Sequence, residues 1–448
     1  MPIDLKTEVA HCIWPAIPSI AGAHALALQY QFESSERLPP GELQDAAFAQ
    51  LQAVLEEAFK NIPYWRTALQ RIGFLPGTAL GVEVFRRLPL LTRADIQLLG
   101  DALLNVNREK IRGDIYRGST SGSTGTPVRF YQTELTRHFW RAITLREHLW
   151  HGRDFTGKLA AIRSNVEDSG APDWGPATQA VVATGPCSLL NIRVSVDRQI
   201  DWLKTEDPDY LITHPSNLRA LAKAAIDRGL KLPGLRQLRT FGEVLNEETR
   251  ALCWQAWAVG IADVYSSEEV GYIALQCPQG AYHVQAENIF VEILDEDGRI
   301  CLPGRIGRVV ITTLHNFAMP LIRYDIGDFA MVGEQCACGR TLPVLSRILG
   351  RQRNMLKLPD GSQHWPSFPE DRWVGIAPIR QVQVVQKNLD EIVLRVVAPR
   401  DLTQGESARL IDTFRDTLKF PHRIEIEQVE SISRSGNFKF EDFLSELA

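Results

Sequence analysis

Apolar residues recur with two different periods along this chain, and the change of period marks its organisation. Between Glu42 and Asn61 they fall at Leu43, Ala46, Ala47, Leu51, Val54, Leu55 and Phe59, a spacing that lines one face of a helix and predicts a core-packed one. The first hundred residues read as helical throughout. In Leu91-Thr92-Arg93-Ala94-Asp95 a hydroxyl stands three residues before a carboxylate, which predicts a capped helix start with Thr92 as N-cap and Asp95 as its reciprocal partner. Beyond Leu159 the pattern shortens. Strand-like runs at Leu159 to Ile162, Tyr210 to Thr213, Leu238 to Phe241, Phe290 to Leu294 and Arg308 to Thr312 alternate with helical stretches at Asn217 to Arg228 and Glu247 to Val259. Such alternation predicts an α/β core with a largely parallel sheet. A break falls near Gly350 to Leu356, after which strands at Gln381 to Val397 and Arg423 to Gln428 surround one helix, Gly405 to Lys419. The expected organisation is a large α/β domain over residues 1–350 and a small α+β domain over residues 351–448. A length of 448 residues fits this, because one core rarely grows so large.

Composition narrows the classes of function. The chain carries 49 basic and 54 acidic residues for a net charge of -5, without the basic stripe that nucleic acid requires. No run approaches the ~20 apolar residues of a membrane span. The amino-terminal M-P-I-D-L-K-T-E lacks the basic-then-apolar order of a signal peptide, which gives a cytoplasmic expectation. Seven scattered cysteines do not form a disulfide framework. Cys12, Cys187, Cys253 and Cys301 read as small core hydrophobes.

Chemistry concentrates first in Ser119-Thr120-Ser121-Gly122-Ser123-Thr124-Gly125. Glycines let backbone approach a ligand closely, while free N–H groups and hydroxyls donate to phosphate oxygens. Val128, Phe130 and Tyr131 predict a strand directly after it. The loop is not of the Walker type, since Thr126 and Pro127 follow Gly125 where that motif has Lys and Ser or Thr. A Ser/Gly-rich surface turn is the alternative reading.

Three further clusters follow in order: Asp263-Val-Tyr-Ser-Ser-Glu-Glu-Val-Gly271, Leu321-Ile-Arg-Tyr-Asp-Ile-Gly-Asp328 and Gly350-Arg-Gln-Arg-Asn-Met-Leu356. Together with the loop they resemble the adenylate-forming superfamily of acyl-CoA synthetases and adenylation domains. The nearer likeness is to the phenylacetate-CoA ligase family, through Phe59-Lys-Asn-Ile-Pro-Tyr-Trp65, Leu88-Pro-Leu-Leu-Thr-Arg-Ala-Asp95 and Ala318-Met-Pro-Leu-Ile-Arg-Tyr324. That resemblance implies an acid-thiol ligase in which ATP and a carboxylic acid, aromatic in this family, give an acyl-adenylate that coenzyme A then captures. It also implies a mobile small domain that rotates about Arg351 to Arg353. A carrier protein or an amine is the alternative acceptor, and a nucleotide-binding protein without turnover is the alternative class.

By the same resemblance Ser119 to Gly125, with Thr124 among the catalytic set, hold the leaving phosphates. Glu269 matches the Mg2+ ligand and Glu268 stands where relatives have Ser or Thr. Tyr265 matches the residue that stacks on adenine, with Ser266 beside it. Asp328 matches the ribose-binding carboxylate, while Gly242 and Glu243 match an element lining the acyl and nucleotide pocket. Arg351 belongs to the hinge. The family's lysine over the α-phosphate has no gapless counterpart, because Asn437 falls at its place and Lys439 two residues later. Lys439 is therefore the expected catalytic lysine, with a surface role as the alternative. Finally, Cys336-Ala-Cys338 is a C-x-C turn suited to Zn2+. Cys277 and His283 would complete a closed, structural Cys3His site, the alternative being unmetallated thiols.

Overall fold

The computed structural model describes residues 5–12, 14–120, 128–164, 166–351, 354–364, 366, 368, 372–418, 420–432 and 440–447. It divides into two compact units, Met1–Ile348 and Leu349–Ala448.

The first unit begins with helices α1 (Ile20–Ser35), α2 (Pro40–Asn61), α3 (Pro63–Arg71), α4 (Val82–Phe85) and α5 (Arg93–Leu99). Helix α2 buries Leu43, Leu51, Val54, Leu55 and Ala58, the stripe expected from its spacing. Strands β1 (Ile115–Ser119) and β2 (Arg129–Thr133) form a separate antiparallel hairpin, followed by α6 (Glu134–Trp150). Then come β3 (Leu159–Arg163), β4 (Ser169–Ala171), β5 (Cys187–Asn191), α7 (Val196–Glu206), β6 (Tyr210–Thr213), α8 (Pro215–Arg228), β7 (Gln237–Phe241), α9 (Glu247–Trp257) and β8 (Ile261–Ser267). A run of strands follows: β9 (Gly271–Gln276), β10 (Tyr282–Val284), β11 (Ile289–Leu294), β12 (Ile306–Thr313), β13 (Tyr324–Val332) and β14 (Val344–Arg351), the last of which runs across the boundary at Ile348.

One twelve-stranded sheet runs β11-β12-β13-β14-β10-β9-β8-β7-β6-β3-β5-β4. Strands β5, β3, β6, β7 and β8 pair parallel. The expectation of a largely parallel sheet holds for this half only. From β8 to β9 the pairing turns antiparallel, as it is between β9 and β10, β10 and β14, β11 and β12, and β12 and β13. The physical reason is the connection: helices α7, α8 and α9 supply the crossovers parallel strands need, whereas the short links from β8 to β9 and from β9 to β10 permit only hairpins. Cys187, Cys253 and Cys301 are buried as expected, whereas Cys12 is only partly buried.

The second unit has its own core, including Leu356, Trp373, Val384, Leu394, Leu410 and Phe414. It holds β15 (Leu356–Lys357), β16 (Gln363–His364), β17 (Gln381–Gln386), β18 (Glu391–Val397), α10 (Gln404–Leu418), β19 (Arg423–Gln428) and β20 (Phe443–Ser445). Four of these strands order as β19-β18-β17-β20.

A buried ion pair fixes the front of the first unit. Arg323 sits in the left-handed region at φ 48°, a conformation disfavoured for a residue with a Cβ. Its Nε donates to Glu292 Oε2 at 3.0 Å and its Nη1 to the Leu88 carbonyl at 2.6 Å, with the Arg86 carbonyl as a further acceptor. The neighbouring backbone is bound as well, Leu91 N–H donating to Arg323 O and Asp325 N–H to Leu91 O, each at 2.9 Å. Glu292 and Arg323 are both buried, so removing either leaves a charge without its partner. Glu292→Ala is expected to destabilise this unit by about 3–5 kcal/mol, read as a lowered denaturant midpoint for its unfolding transition.

Candidate active site

The glycine-rich loop is carried by the β1–β2 hairpin. Residues 121–127 lie outside the described residues, and with them Ser121, Gly122, Ser123, Thr124 and Gly125. Hydrogen bonds close the base of the loop. Thr120 N–H donates to Val128 O at 2.9 Å and Val128 N–H to Thr120 Oγ1 at 3.1 Å, one step beyond the Ser119–Arg129 pair. Ser119 is exposed and Thr120 buried. Gly118 lies opposite Phe130, and a Cβ there would run into the Phe130 ring.

Helix α5 delivers a cation to this base. Thr92 and Asp95 form the expected capping box, Thr92 Oγ1 accepting from Asp95 N–H at 3.1 Å and Asp95 Oδ2 from Thr92 N–H at 2.8 Å. The box fixes Arg93 at the first helical position. There its Nη2 donates to Thr120 Oγ1 at 2.8 Å, and its Nη1 lies 3.5 Å from Glu269 Oε1. Sequence reasoning read the cap and passed over Arg93. A signal was present, because a cation in the first turn of a helix opposes the helix dipole and so calls for another reason to be there.

Glu269 occupies the turn between β8 and β9, just inside the Ser267–Gly271 pair and beyond a bulge at Tyr265 and Ser266. It is buried, whereas Glu268 is exposed and gives its backbone carbonyl to Gln132 Nε2 at 3.2 Å. Tyr265 donates its phenol to Asp328 Oδ2 at 2.8 Å, so two residues 63 apart in sequence meet here. The Tyr265 ring packs among Ile273, Ala274 and Ile289. Asp328 lies on β13 after Gly327, whose φ of 81° suits glycine. Gly242, at φ 81°, turns the chain as β7 ends. Glu243 then accepts from Ser216 N–H at 2.8 Å and Ser216 Oγ at 3.1 Å, a carboxylate on the first turn of α8 where the helix dipole favours it. Gly242, Glu243, Tyr265 and Ser266 thus gather at the carboxyl ends of the parallel strands, where open α/β sheets bind ligands. Arg351 ends β14, its N–H donating to Asn354 Oδ1 at 3.2 Å. Gln352, Arg353, Asn437 and Lys439 lie outside the described residues.

A buried network holds the sheet behind these residues. Glu147 accepts from Arg153 Nη2 and lies against Arg239 Nε, each at 2.7 Å. Burial alone would raise its pKa, but the two guanidinium groups overcome this and hold it well below the usual carboxylate range. Arg239 also donates to the Tyr272 hydroxyl at 3.1 Å, which ties β7 to β9.

The four expected metal ligands converge. Cys277 follows β9, His283 lies on β10, and Cys336 and Cys338 lie between β13 and β14; their ligand atoms all fall within 4.8 Å of one another. Cys277 and Cys336 Sγ are 3.7 Å apart, and Cys338 Sγ is 3.3 Å from His283 Nε2. Tetrahedral Zn2+ with bonds of about 2.3 Å would separate two sulfurs by about 3.8 Å, whereas a disulfide would need about 2.05 Å. Burial pushes the His283 pKa down to about 4, which keeps the imidazole in its neutral, ligating form. Burial pushes the Cys277 thiol up to about 11. For Cys338 burial opposes ionisation, but the Arg340 amide and guanidinium outweigh it and lower the pKa. These residues fit a closed Cys3His site.

No family model matches the chain. It is 26% identical over 398 residues to a phenylacetate-coenzyme A ligase of Thermus thermophilus, covering 85% of this chain and 83% of that protein. It is 24% identical over 380 residues to the phenylacetate-coenzyme A ligase of Escherichia coli, covering 79% and 82%. Its fold superposes on a 2-hydroxyisobutyryl-CoA ligase in the postadenylation state in complex with 2-HIB-AMP, with a TM-score of 0.72 at 20% identity over 92% of this chain and 91% of that one. The chain is thus similar in sequence to acyl-CoA ligases along most of its length and shares the fold of one. Three of the expected motifs, the loop base, the Tyr265-to-Glu269 turn and the Asp328 strand, all lie in the first unit. No described helix is long and apolar enough to cross a membrane.

Proposed function

We propose that this protein activates a carboxylic acid with ATP and transfers the acyl group to the thiol of coenzyme A, as the names of its relatives suggest. The observation that carries the proposal is that Arg93 joins Thr120 to Glu269 and Tyr265 joins Asp328, so that the expected motif residues pair across long stretches of sequence within one unit. A carboxylate attacking the α-phosphate of ATP brings two anions together, so catalysis must come from positioning and charge neutralisation. Ser119 to Gly125 hold the β- and γ-phosphates. Glu269 would hold Mg2+, which would supply charge neutralisation at the phosphates; its burial and the exposure of Glu268 favour Glu269 over its neighbour. Asp328 accepts from the ribose hydroxyls, with the Tyr265 phenol steadying one carboxylate oxygen. Gly242, Glu243 and Ser266 border the acyl pocket, and an aromatic acid is the substrate class read from the phenylacetate-coenzyme A ligases. The first unit binds ATP and acid; the second, mobile about Arg351, carries Lys439. Zn2+ held by Cys277, His283, Cys336 and Cys338 is structural, because four protein ligands leave no place for water.

Pyrophosphate release with ATP and a panel of aromatic and aliphatic acids, with mass detection of CoA thioesters, tests the reading. Release that depends on one class of acid supports it; no release with any acid overturns it. Asp328→Ala is expected to raise the Michaelis constant for ATP strongly, since each charge-assisted hydrogen bond lost is worth about 1.5–3 kcal/mol; steady-state kinetics with ATP varied give the answer. Protein purified without chelators should contain stoichiometric zinc by elemental analysis, and Cys338→Ser should lower both zinc content and melting temperature, because metal binding is coupled to folding. Lys439→Ala should slow adenylate formation by about 10²-fold while sparing thioester formation from supplied acyl-adenylate, which separate assays of the two half-reactions distinguish.

A further inference from the structure

Asp263, on β8 and 4% exposed, is a buried carboxylate held by hydroxyls. Its Oδ1 accepts from the Thr240 hydroxyl of β7 at 2.5 Å, and its Oδ2 from the Tyr282 phenol of β10 at 2.6 Å. Its own N–H donates to Gln276 Oε1 of β9 at 3.2 Å, and Arg250 Nη2 of α9 donates to the same oxygen at 3.0 Å. Thr240 lies opposite Asp263, and Tyr282 opposite Gln276, so a polar row crosses four adjacent strands. Glu147, Glu287 and Glu292, by contrast, each meet an arginine at 3.0 Å or less. Burial raises the Asp263 pKa against the pull of the two hydroxyls and of Arg250. A carboxylate is a costly way to fill a core position, and an apolar side chain would serve cohesion better. What this one supplies is direction, since its three bonds fix β7, β9 and β10 against β8.

The place of the row in the sheet shows where that direction matters. Strands β7 and β8 pair as far as Phe241 and Val264. Beyond them β8 pairs with β9 alone, and the register shifts between Tyr265 and Ser266. Tyr265 thus stands one residue past the last support from β7, at the edge of a bulge, where a strand bends and twists more strongly. Asp263 shares the face of Tyr265 two residues earlier, and its bond to Thr240 clamps the last pair but one. The same bond holds β7 just before Gly242 and Glu243. We infer that Asp263 is a positioning residue for nucleotide binding, which through Thr240 and Tyr282 fixes the ends of β7 and β8 and so aims the Tyr265 phenol at Asp328. The inference rests on the adenylating reading above, in which Tyr265 and Asp328 receive the adenosine half of ATP. Asp263 touches no substrate in it and acts through the strands.

Asp263→Asn and Thr240→Val test this in the full-length protein, since each keeps the shape of its side chain while breaking the bond between them. Pyrophosphate release is measured with ATP varied at saturating acid, below the onset of unfolding of each variant, and ATP binding is measured by calorimetry. Both variants are expected to raise the Michaelis constant for ATP, and its calorimetric dissociation constant, by about tenfold, the order expected of a small misplacement. The double variant should fall well short of the product of the two effects, because both act through one bond. Should Asp263→Asn fail to fold, Thr240→Val alone decides. If Asp263 serves only cohesion, the variants lose folded molecules, so the apparent kcat falls at an unchanged Michaelis constant and an unchanged affinity. That result, wild-type values throughout, or full multiplication in the double variant overturns the inference. A wild-type chain that releases no pyrophosphate with any acid would remove the proposed function, and calorimetry then decides the inference by itself. Binding about tenfold weaker in the variants sustains it, whereas equal affinities, or a wild-type chain that binds no ATP, end it.

Discussion

The Arg323–Glu292 pair is the constraint on which the front of the first unit depends. Arg323 reaches a carboxylate on β11 and two carbonyls, of Arg86 and Leu88, from segments far apart in sequence. Its left-handed backbone costs on the order of 1–2 kcal/mol, and a buried charge pair stabilises little in net terms. Both are tolerated because the arrangement specifies geometry. The bridge between Leu91 and Tyr324 places the start of α5 beside the start of β13. Arg93 and Asp328, which flank that bridge, are thereby set in one frame.

Charge is used differently at depth and at the rim. In the interior, Glu147 lies between Arg153 and Arg239, and Arg146 lies between Glu36 and Glu287. Each acid there is surrounded by fixed donors, so no ligand could enter without leaving a buried charge unpaired. Arg340 extends this scaffold to the thiol cluster, reaching Glu36 at 3.3 Å and lying 4.2 Å over the Trp150 ring. The Arg93–Glu269 pair is of the other kind. Its arginine is partly exposed while its glutamate is buried, so solvent screens it more than the interior pairs.

The change of sheet sense supplies the location. Up to β8 the sheet is extended by helical crossovers; from β8 to β10 it is extended by hairpins. Glu269 stands in the first of those hairpin turns. The β1–β2 hairpin reaches this turn through Gln132 and the Glu268 carbonyl.

Sequence alone determined the elements whose signals are local. The α2 stripe, the Thr92–Asp95 cap and the strand at Tyr210–Thr213 follow from periodicity and capping, both of which act over a few residues. It also marked the Cys336–Cys338 turn and the ordered motifs containing Glu269 and Asp328, because their spacing is written in the chain. Tertiary structure alone decided what meets what. The parallel half of the sheet was legible from alternating helices and strands, but the antiparallel half was not, since strand sense depends on connections and partners rather than on the run itself. Arg93 was passed over because a single arginine carries no periodic signature, and its meaning arises only where Thr120 and Glu269 come within reach of it. The same holds for Tyr265 and Asp328: each residue type was readable in its motif, whereas the hydrogen bond between them exists only because β8 and β13 bring distant parts of the chain together, a long-range closure that no local pattern encodes.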